Sequence, residues 1–400
     1  MSARRLLQER QCRRFFAAQT LSLLGDSALW LACGIWVKTL TGSNSAAALT
    51  FLCFTAPALL APAAGLLVDR LPHRPLLIAA DLAGAAILTP LLLVHDRGDV
   101  WLIYAVMALY GLLNIVIAPA QSALLTVLLP PSLLPDANAL LRTVQQGLRI
   151  LAPLAGAGLF TLLGGHAVAL LDMLTFLAAA VLLRPCAPLA RPDATGRATA
   201  RPDKRISAGF RFLLSTPPLR RLTLAAAIAT LAFGTGEATV YAIIDRALHR
   251  PPQFAGVTQT LQGLGAIAGG LLTAAAIRRR GELHTITAGL ALLAAATLLL
   301  STPWPLPVLT GMLLAGAALT SIVIALITLL QRQAPHHLQG RVYAAFELCA
   351  TAPQTAGLAA GAALITALDY RLLLLAAATG LLLATALLAT RQRTPARRPT

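Results

Sequence analysis

The chain has 400 residues, of which 57% are hydrophobic and only 12% charged, with a formal net charge of +17 and a mean hydropathy of +0.74. Soluble domains average about 25% charged and 45–50% apolar residues, which excludes an ordinary cytosolic enzyme, a disordered chain and a small disulfide-bonded secreted domain. Twelve membrane helices of about 20 residues would need about 240 mostly apolar positions, and the composition matches that demand.

Taken in chain order, apolar windows of 18 or more residues predict spans at 15–40, 46–68, 76–94, 100–129, 138–163, 167–183, 221–244, 255–277, 283–301, 305–330, 341–366 and 371–390. The basic stretch before the first span looks like the start of a signal peptide. It lacks a small-residue cleavage site and its apolar run is too long, so the first span is expected to be retained. Of the 32 lysines and arginines, 25 fall at the N-terminus, in the 2–3, 8–9 and 10–11 loops, in the central linker or in the C-terminal tail. The opposite side carries only Lys38, Arg97, Arg246, Arg250 and Arg371. The positive-inside rule then places both termini in the cytoplasm. It also accounts for the sequence pI near 11.2 without nucleic acid. Trp101 and Trp304 open spans on the outer face, where amphipathic rings sit at the headgroups.

The segment 184–220 interrupts the pattern with a Pro-, Arg- and Thr-rich linker. It closes on ISAGFRFLLS, where apolar residues interleave with basic ones as in a short interfacial helix. The expected organisation is a six-helix bundle over 1–183, the cytoplasmic linker 184–220, a second six-helix bundle over 221–390 and a tail at 391–400. The bundles look like parallel repeats. Trp101 pairs with Trp304, Gly65-Leu66-Leu67 with Gly270-Leu271-Leu272, and Ala152-Pro153 with Ala352-Pro353, all at nearly constant offset. A substrate site between such repeats lies near mid-membrane.

Motifs for other chemistry are missing. The five cysteines form no CxxC, and no HExxH, Walker loop, GxSxG or zinc spacing occurs. No cofactor, metal or enzymatic activity is expected. Arginine far outnumbers lysine in a chain rich in alanine and leucine, the pattern of a high-GC bacterial coding sequence. The expected location is therefore a bacterial inner (cytoplasmic) membrane.

After the second span comes GLLVDRLPHRPLLIAAD. This resembles the cytoplasmic 2–3 loop signature of the major facilitator superfamily, with Gly65, Asp69, Arg70 and Arg74 on matching positions and Pro72 where the family usually has glycine. Together with LLGDSALW, WVKTLTGSNSAAAL, LPDANALLRTVQQGLRILAP and LQGRVYAAFELCATAP, it resembles the drug-efflux branch that contains macrolide and siderophore (enterobactin-type) exporters. The resemblance implies an all-α fold of twelve transmembrane helices in two pseudo-symmetric bundles. It also implies alternating access, commonly with proton-driven export, and a monomer by default. In the family the carboxylate at Asp69 meets the positive N-terminus of span 11, near Gly340–Arg341, when the inner side is shut. Such a dipole contact is worth about 0.3–2 kcal/mol. Arg70 and Arg74 serve equally well as positive-inside anchors. Pro153, followed by Gly156 and Gly158, matches the antiporter motif of span 5 with alanine in place of its first glycine. Pro153 and its repeat partner Pro353 are expected to bend their helices.

Seven ionisable residues fall within spans: Asp26, Asp81, Arg142, Arg149, Asp172, Glu237 and Glu347. Each costs about 2.5–3.5 kcal/mol at the bilayer centre on insertion scales, so each needs a partner, an aqueous cavity or a proton. Asp26 lies about 18 Å beyond Arg14 and Glu237 about 24 Å beyond Arg221 in a core about 30 Å thick. Either could exchange protons for substrate. Asp26 could instead be a helix–helix contact, and Glu237 a residue reaching outer water. Trp30, one turn from Asp26, offers a floor for a flat or cationic substrate. Arg142 shares a depth with Asp81 and is expected to pair with it. Arg149, deeper, is placed to pair with Asp26 or to meet an anionic substrate group. Asp172 and Glu347 read as structural, Glu347 near the loop arginines of the cytoplasmic gate.

The expected function is a secondary transporter in the lipid bilayer, exporting a small amphipathic molecule in exchange for protons. A lysophospholipid or metabolite carrier of the same fold, a transport-dead scaffold or sensor, and a lipid-modifying membrane enzyme are the alternatives.

Overall fold

The computed structural model of the chain describes residues 10–61, 64, 68, 71–129, 134–186, 207–333 and 339–389. Among them every regular element is helical, as a bilayer demands of a chain that must satisfy its own backbone donors and acceptors. In chain order the helices are α1 Arg10–Thr41, α2 Asn44–Thr55, α3 His73–Leu88, α4 Val100–Leu128, α5 Leu134–Leu183, α6 Ser207–Ser215, α7 Pro217–Glu237, α8 Ala255–Arg280, α9 Glu282–Leu300, α10 Pro305–Gln333, α11 Gln339–Leu364 and α12 Tyr370–Ala389. Helices α2 and α3 run on into 3-10 turns at Ala56–Leu60 and Thr89–Leu93. Helix α5 holds two spans, divided at Gly164, whose φ of 80° breaks the helix. With α6 set aside, the helices supply the twelve spans of two six-helix bundles.

Length and hydropathy alone reveal fewer. Eight helices qualify singly, and a ninth is α7 joined to Val240–Ala247 across a 42° bend. The shortfall has plain causes. α5 registers once for two spans, α2 with its 3-10 turn spans only Asn44–Leu60 among the described residues, and α11 carries Arg341, Glu347 and Gln354. The short α6, expected as an interfacial helix, packs against α11. An added Cβ on its Gly209 would sit 2.2 Å from the Arg341 carbonyl oxygen, and its Leu213 is buried while Leu214 is exposed. Pro153 and Pro353 both lie within continuous helix.

The chain divides into two compact units, Met1–Ser43 with Leu49–Asp203 and Ala255–Val257, and Asn44–Ala48 with Lys204–Phe254 and Thr258–Thr400. In the first, α1 packs along α5, and α3 packs on α4 and α5. Phe15, Phe16, Leu77, Leu124 and Leu183 form a core at the end where α1 begins. In the second, α7 packs on α11 and α12, and α9 packs on α10 and α12. Leu162, Leu271 and Leu306 are exposed, as are Trp101 and Trp304, at 62% and 69%. Surfaces of that kind are stable against lipid, and indole rings at span ends suit the headgroup layer.

Polar contacts at the helix ends contribute little by comparison. Arg332 at the end of α10 bridges Glu282 at the start of α9 with an N–O distance of 2.6 Å, but the arginine side chain is largely exposed. The Glu282 side chain is only 13% exposed, so the pair is only partly screened by water. Arg332→Gln, which leaves Glu282 without its cation, is therefore expected to lower the melting temperature of the purified protein modestly, as read by intrinsic fluorescence on heating.

Candidate functional site

The interior of the first unit is built around Asp26. This residue is half-buried on α1, and its Oδ1 accepts a hydrogen bond from the Tyr110 hydroxyl of α4. The same hydroxyl lies 3.5 Å from Oδ2 of Asp172, which sits in the second half of α5 and has no exposed surface. The hydroxyl of Thr175 reaches the Asp172 Oδ1 at 3.0 Å and the Asp172 carbonyl at 2.8 Å. Gly25 makes this approach possible. An added Cβ there would fall 2.1 Å from Asp172 Oδ1 and 2.4 Å from Thr175 Oγ1, so any side chain would push the carboxyl away from α1.

Aromatic rings surround the acids. Phe54 and Phe176 lie 5.8 Å and 6.0 Å from the Tyr110 ring, the second edge-on. Trp30, one turn beyond Asp26, packs on Phe51 with centroids 4.6 Å apart and planes tilted by 38°. A half-buried carboxylate beside a tryptophan face is a chemically competent receiver for a flat cation. Asp81 on α3 is 4% exposed, its Oδ2 has no hydrogen-bond partner among the described residues, and it is close enough for its charge to act on Asp26. Two turns along α1 from Asp26, Gln19 accepts a hydrogen bond from the Gln121 side chain of α4. The α1–α4 seam therefore carries a second polar pair on the same face.

The second unit has a simpler counterpart. Glu237 is the last residue of α7 before the bend, half-buried, and Gln354 of α11 donates to its Oε2 at 3.5 Å. The helix loosens there as the Gly-Thr-Gly sequence suggests. The Ala238 N–H is shared between the Gly234 and Gly236 carbonyls, Thr239 bonds back to Gly236 at 2.6 Å, and Ile243–Ala247 winds as a π-helix. Local unwinding of this sort recurs at functional sites. Backbones of α7 and α11 touch, since a Cβ on Gly234 would lie 2.1 Å from the Gln354 carbonyl oxygen.

The sequence-derived candidates divide accordingly. Asp26 and Trp30 lie together, with Asp81 nearby, while Glu237 stands in the other unit. Gly65, Asp69 and Arg70 lie outside the described residues, and so do the side chains of Arg142 and Arg149. The expected pairings of Arg142 with Asp81 and of Arg149 with Asp26 therefore lie outside them too. Arg74 donates from Nε to the Leu183 carbonyl at 3.2 Å, a cation on the C-terminal end of α5, where the helix dipole favours it. Glu347 is exposed, and no ion pair reaches it among the described residues. Asp172, expected to be structural, shares Tyr110 with Asp26. Tyr110, Thr175, Phe51 and Gln354 were not anticipated. The one available signal was Tyr110, a hydroxyl deep in an apolar span that must find a partner. Among the described residues no three His, Cys, Asp or Glu side chains converge as a metal site.

Comparison with known proteins agrees with this architecture. Over 369 residues the chain is 27% identical to the MFS-type transporter YfiS of Bacillus subtilis (strain 168), covering 87% of the chain and 85% of that protein. It is also 27% identical over 303 residues to the MFS-type transporter y4rN of Sinorhizobium fredii (strain NBRC 101917 / NGR234), covering 74% of the chain and 73% of that protein. Among solved structures it resembles a nucleoside transporter, NupG, with a TM-score of 0.77 at 13% identity over 95% of the chain and 98% of that structure. A bacterial homologue of the iron transporter ferroportin gives 0.74 at 17% identity over 98% of the chain and 100% of that structure. At such identities these likenesses speak to fold alone. The Major Facilitator Superfamily model matches residues 15–244 and again 222–400, once over each half, so the chain belongs to that superfamily and is a multi-pass membrane transporter, not an enzyme.

Proposed function

We propose that the chain exports a small amphipathic molecule, cationic or flat and aromatic in its recognised part, by alternating access with protons moving inward in exchange. The observation that carries this reading is Asp26, half-buried in the interior of the first unit and one helical turn from the Trp30–Phe51 pair. A carboxylate in such a place is costly and is useful if it alternates between a proton and a substrate. The drug, antibiotic or siderophore class of substrate is supported by the sequence resemblance. The loop residues Gly65, Asp69, Arg70 and Arg74 form the inner gate on the same grounds, together with Asp81, Arg142 and Glu347. Glu237 is the second candidate for the coupled proton, and Arg149 for contact with an anionic substrate group. A bacterial inner membrane, cytoplasmic termini and a monomer complete the reading, supported by the distribution of arginine and by bacterial relatives.

The test is accumulation of ethidium, a macrolide and a catecholate siderophore in cells with and without the chain, each with and without a protonophore. Lower accumulation of at least one compound, abolished by the protonophore, is expected. Equal accumulation of all three, or extrusion indifferent to the protonophore, would refute the reading. For ethidium, Trp30→Ala is expected to raise the half-saturating concentration. A cation–π contact is worth about 0.5–2 kcal/mol, which corresponds to a rise of about 2- to 30-fold.

A further inference from the structure

Asp26 and Asp172 are joined through one hydroxyl, that of Tyr110. Tyr110 has a single hydroxyl proton, which its bond to Asp26 uses. Its oxygen then faces Asp172 Oδ2 at 3.5 Å as an acceptor only. Two ionised carboxylates would leave Asp172 Oδ2 opposed to a lone pair with no exposed surface to recruit solvent. The Thr175 hydroxyl cannot supply the missing proton, since it is directed to Oδ1 and the carbonyl of the same residue. If Asp172 is a carboxylic acid, every contact is satisfied: Asp172 donates to Tyr110, and Tyr110 donates to Asp26.

The surroundings match that state. Of the described residues facing the pair, α1 contributes Cys33, close enough to interact electrostatically with Asp172, and α3 contributes Asp81, buried with an unpartnered Oδ2. α4 contributes Tyr110 and α5 contributes Thr175. None of these is a cation. With no Cβ on Gly25, the Asp172 carboxyl lies directly against α1, on the helix that carries Asp26.

We infer that Asp26, Tyr110 and Asp172 form one proton-holding unit, with Asp172 as the sealed proton store and Asp26 as its half-buried outlet. Transfer is a concerted shift along the hydroxyl. The Asp172 carboxyl proton passes to the Tyr110 oxygen as the Tyr110 proton passes to Asp26. The result is Asp172 carboxylate and Asp26 carboxylic acid, with one negative charge before and after. Asp172 and Tyr110 are thereby positioning and relay residues behind Asp26. The inference deepens the proton-coupled reading above but does not need transport to be detected.

The test is infrared difference spectroscopy of the purified full-length protein in lipid nanodiscs, titrated with pH and exchanged into heavy water. The wild type is expected to show a protonated-carboxyl stretch that vanishes at alkaline pH. Asp172→Asn should remove that band, and Glu237→Gln should leave it in place. Tyr110→Phe keeps the ring between Phe54 and Phe176. It should shift the band to the frequency of a carboxyl that no longer donates a hydrogen bond and keeps only the Thr175 contact to Oδ1, and slow its exchange with deuterium. A band that survives Asp172→Asn unchanged, or that is unmoved in both frequency and exchange by Tyr110→Phe, overturns the inference. Should Asp172→Asn not fold, the Tyr110→Phe spectrum still decides. Export indifferent to a protonophore would refute proton coupling while leaving the band, so the two failures are distinguishable.

Discussion

Asp26→Asn is expected to reduce proton-driven export by about tenfold or more, a loss of at least about 1.4 kcal/mol of coupling, while preserving downhill exchange of the same compound. Asparagine keeps the size of the side chain and its acceptor for the Tyr110 hydroxyl, so the α1–α4 contact survives. It can neither take up nor release a proton. A transporter that still binds its substrate but has lost the group that alternates between proton and cargo equilibrates the cargo without accumulating a gradient. The measurement is efflux from preloaded proteoliposomes with and without an imposed pH gradient, against exchange at equal pH. Glu237→Gln should cost less. Among the described residues Glu237 meets Gln354 alone, at 3.5 Å, with no second buried acid beside it. Full gradient-driven accumulation by the Asp26→Asn protein would remove Asp26 from the coupling mechanism.

The helical spans were legible because a bilayer forces long apolar windows on every crossing. The two places where helix periodicity fails were legible in part. Gly164-Gly165 separates the halves of α5, and the Gly-Thr-Gly before Glu237 precedes the bend in α7. The site was legible only residue by residue. Depth along a helix follows from 1.5 Å per residue, so Asp26 and Trp30 stood out. Depth says nothing about azimuth between helices 84 and 62 residues apart in sequence, the separations that join Tyr110 to Asp26 and to Asp172. The sequence therefore read Asp172 as structural without naming a partner for it. Packing glycines show the same limit. Gly270 repeats Gly65 in the sequence, yet its nearest neighbour, the Thr320 methyl carbon, would lie 3.7 Å from an added Cβ. The close approach belongs to its neighbour Gly269 and to Gly265, which no motif marked.

Those glycines carry the largest expected effect on stability. Gly265→Val should destabilise the protein by at least the upper end of the about 1–3 kcal/mol typical of overpacking. A Cβ on Gly265 would fall 1.8 Å from the Leu313 carbonyl oxygen, one on Gly269 2.3 Å from the Ala317 carbonyl oxygen, and one on Gly316 1.8 Å from the Gln262 carbonyl oxygen. α8 and α10 thus cross backbone on backbone, each seated in the small-residue notch of the other. In lipid no hydrophobic force holds two helices together, and association rests on this close packing. The obstacle at each site is a main-chain oxygen, which cannot rotate aside as a side chain would. The helices must separate along the whole crossing, and the contacts of Gly269 and Gly316 are lost with that of Gly265. Gly158→Ala is the matched control. Nothing lies within 4 Å of an added Cβ there, and alanine in a helix gains about 0.5–1 kcal/mol over glycine. Thermal melting and size-exclusion profiles of the two purified variants should move in opposite directions, Gly265→Val toward earlier melting and aggregation. Equal melting of both would mean that α8 and α10 do not cross as closely as their glycines imply.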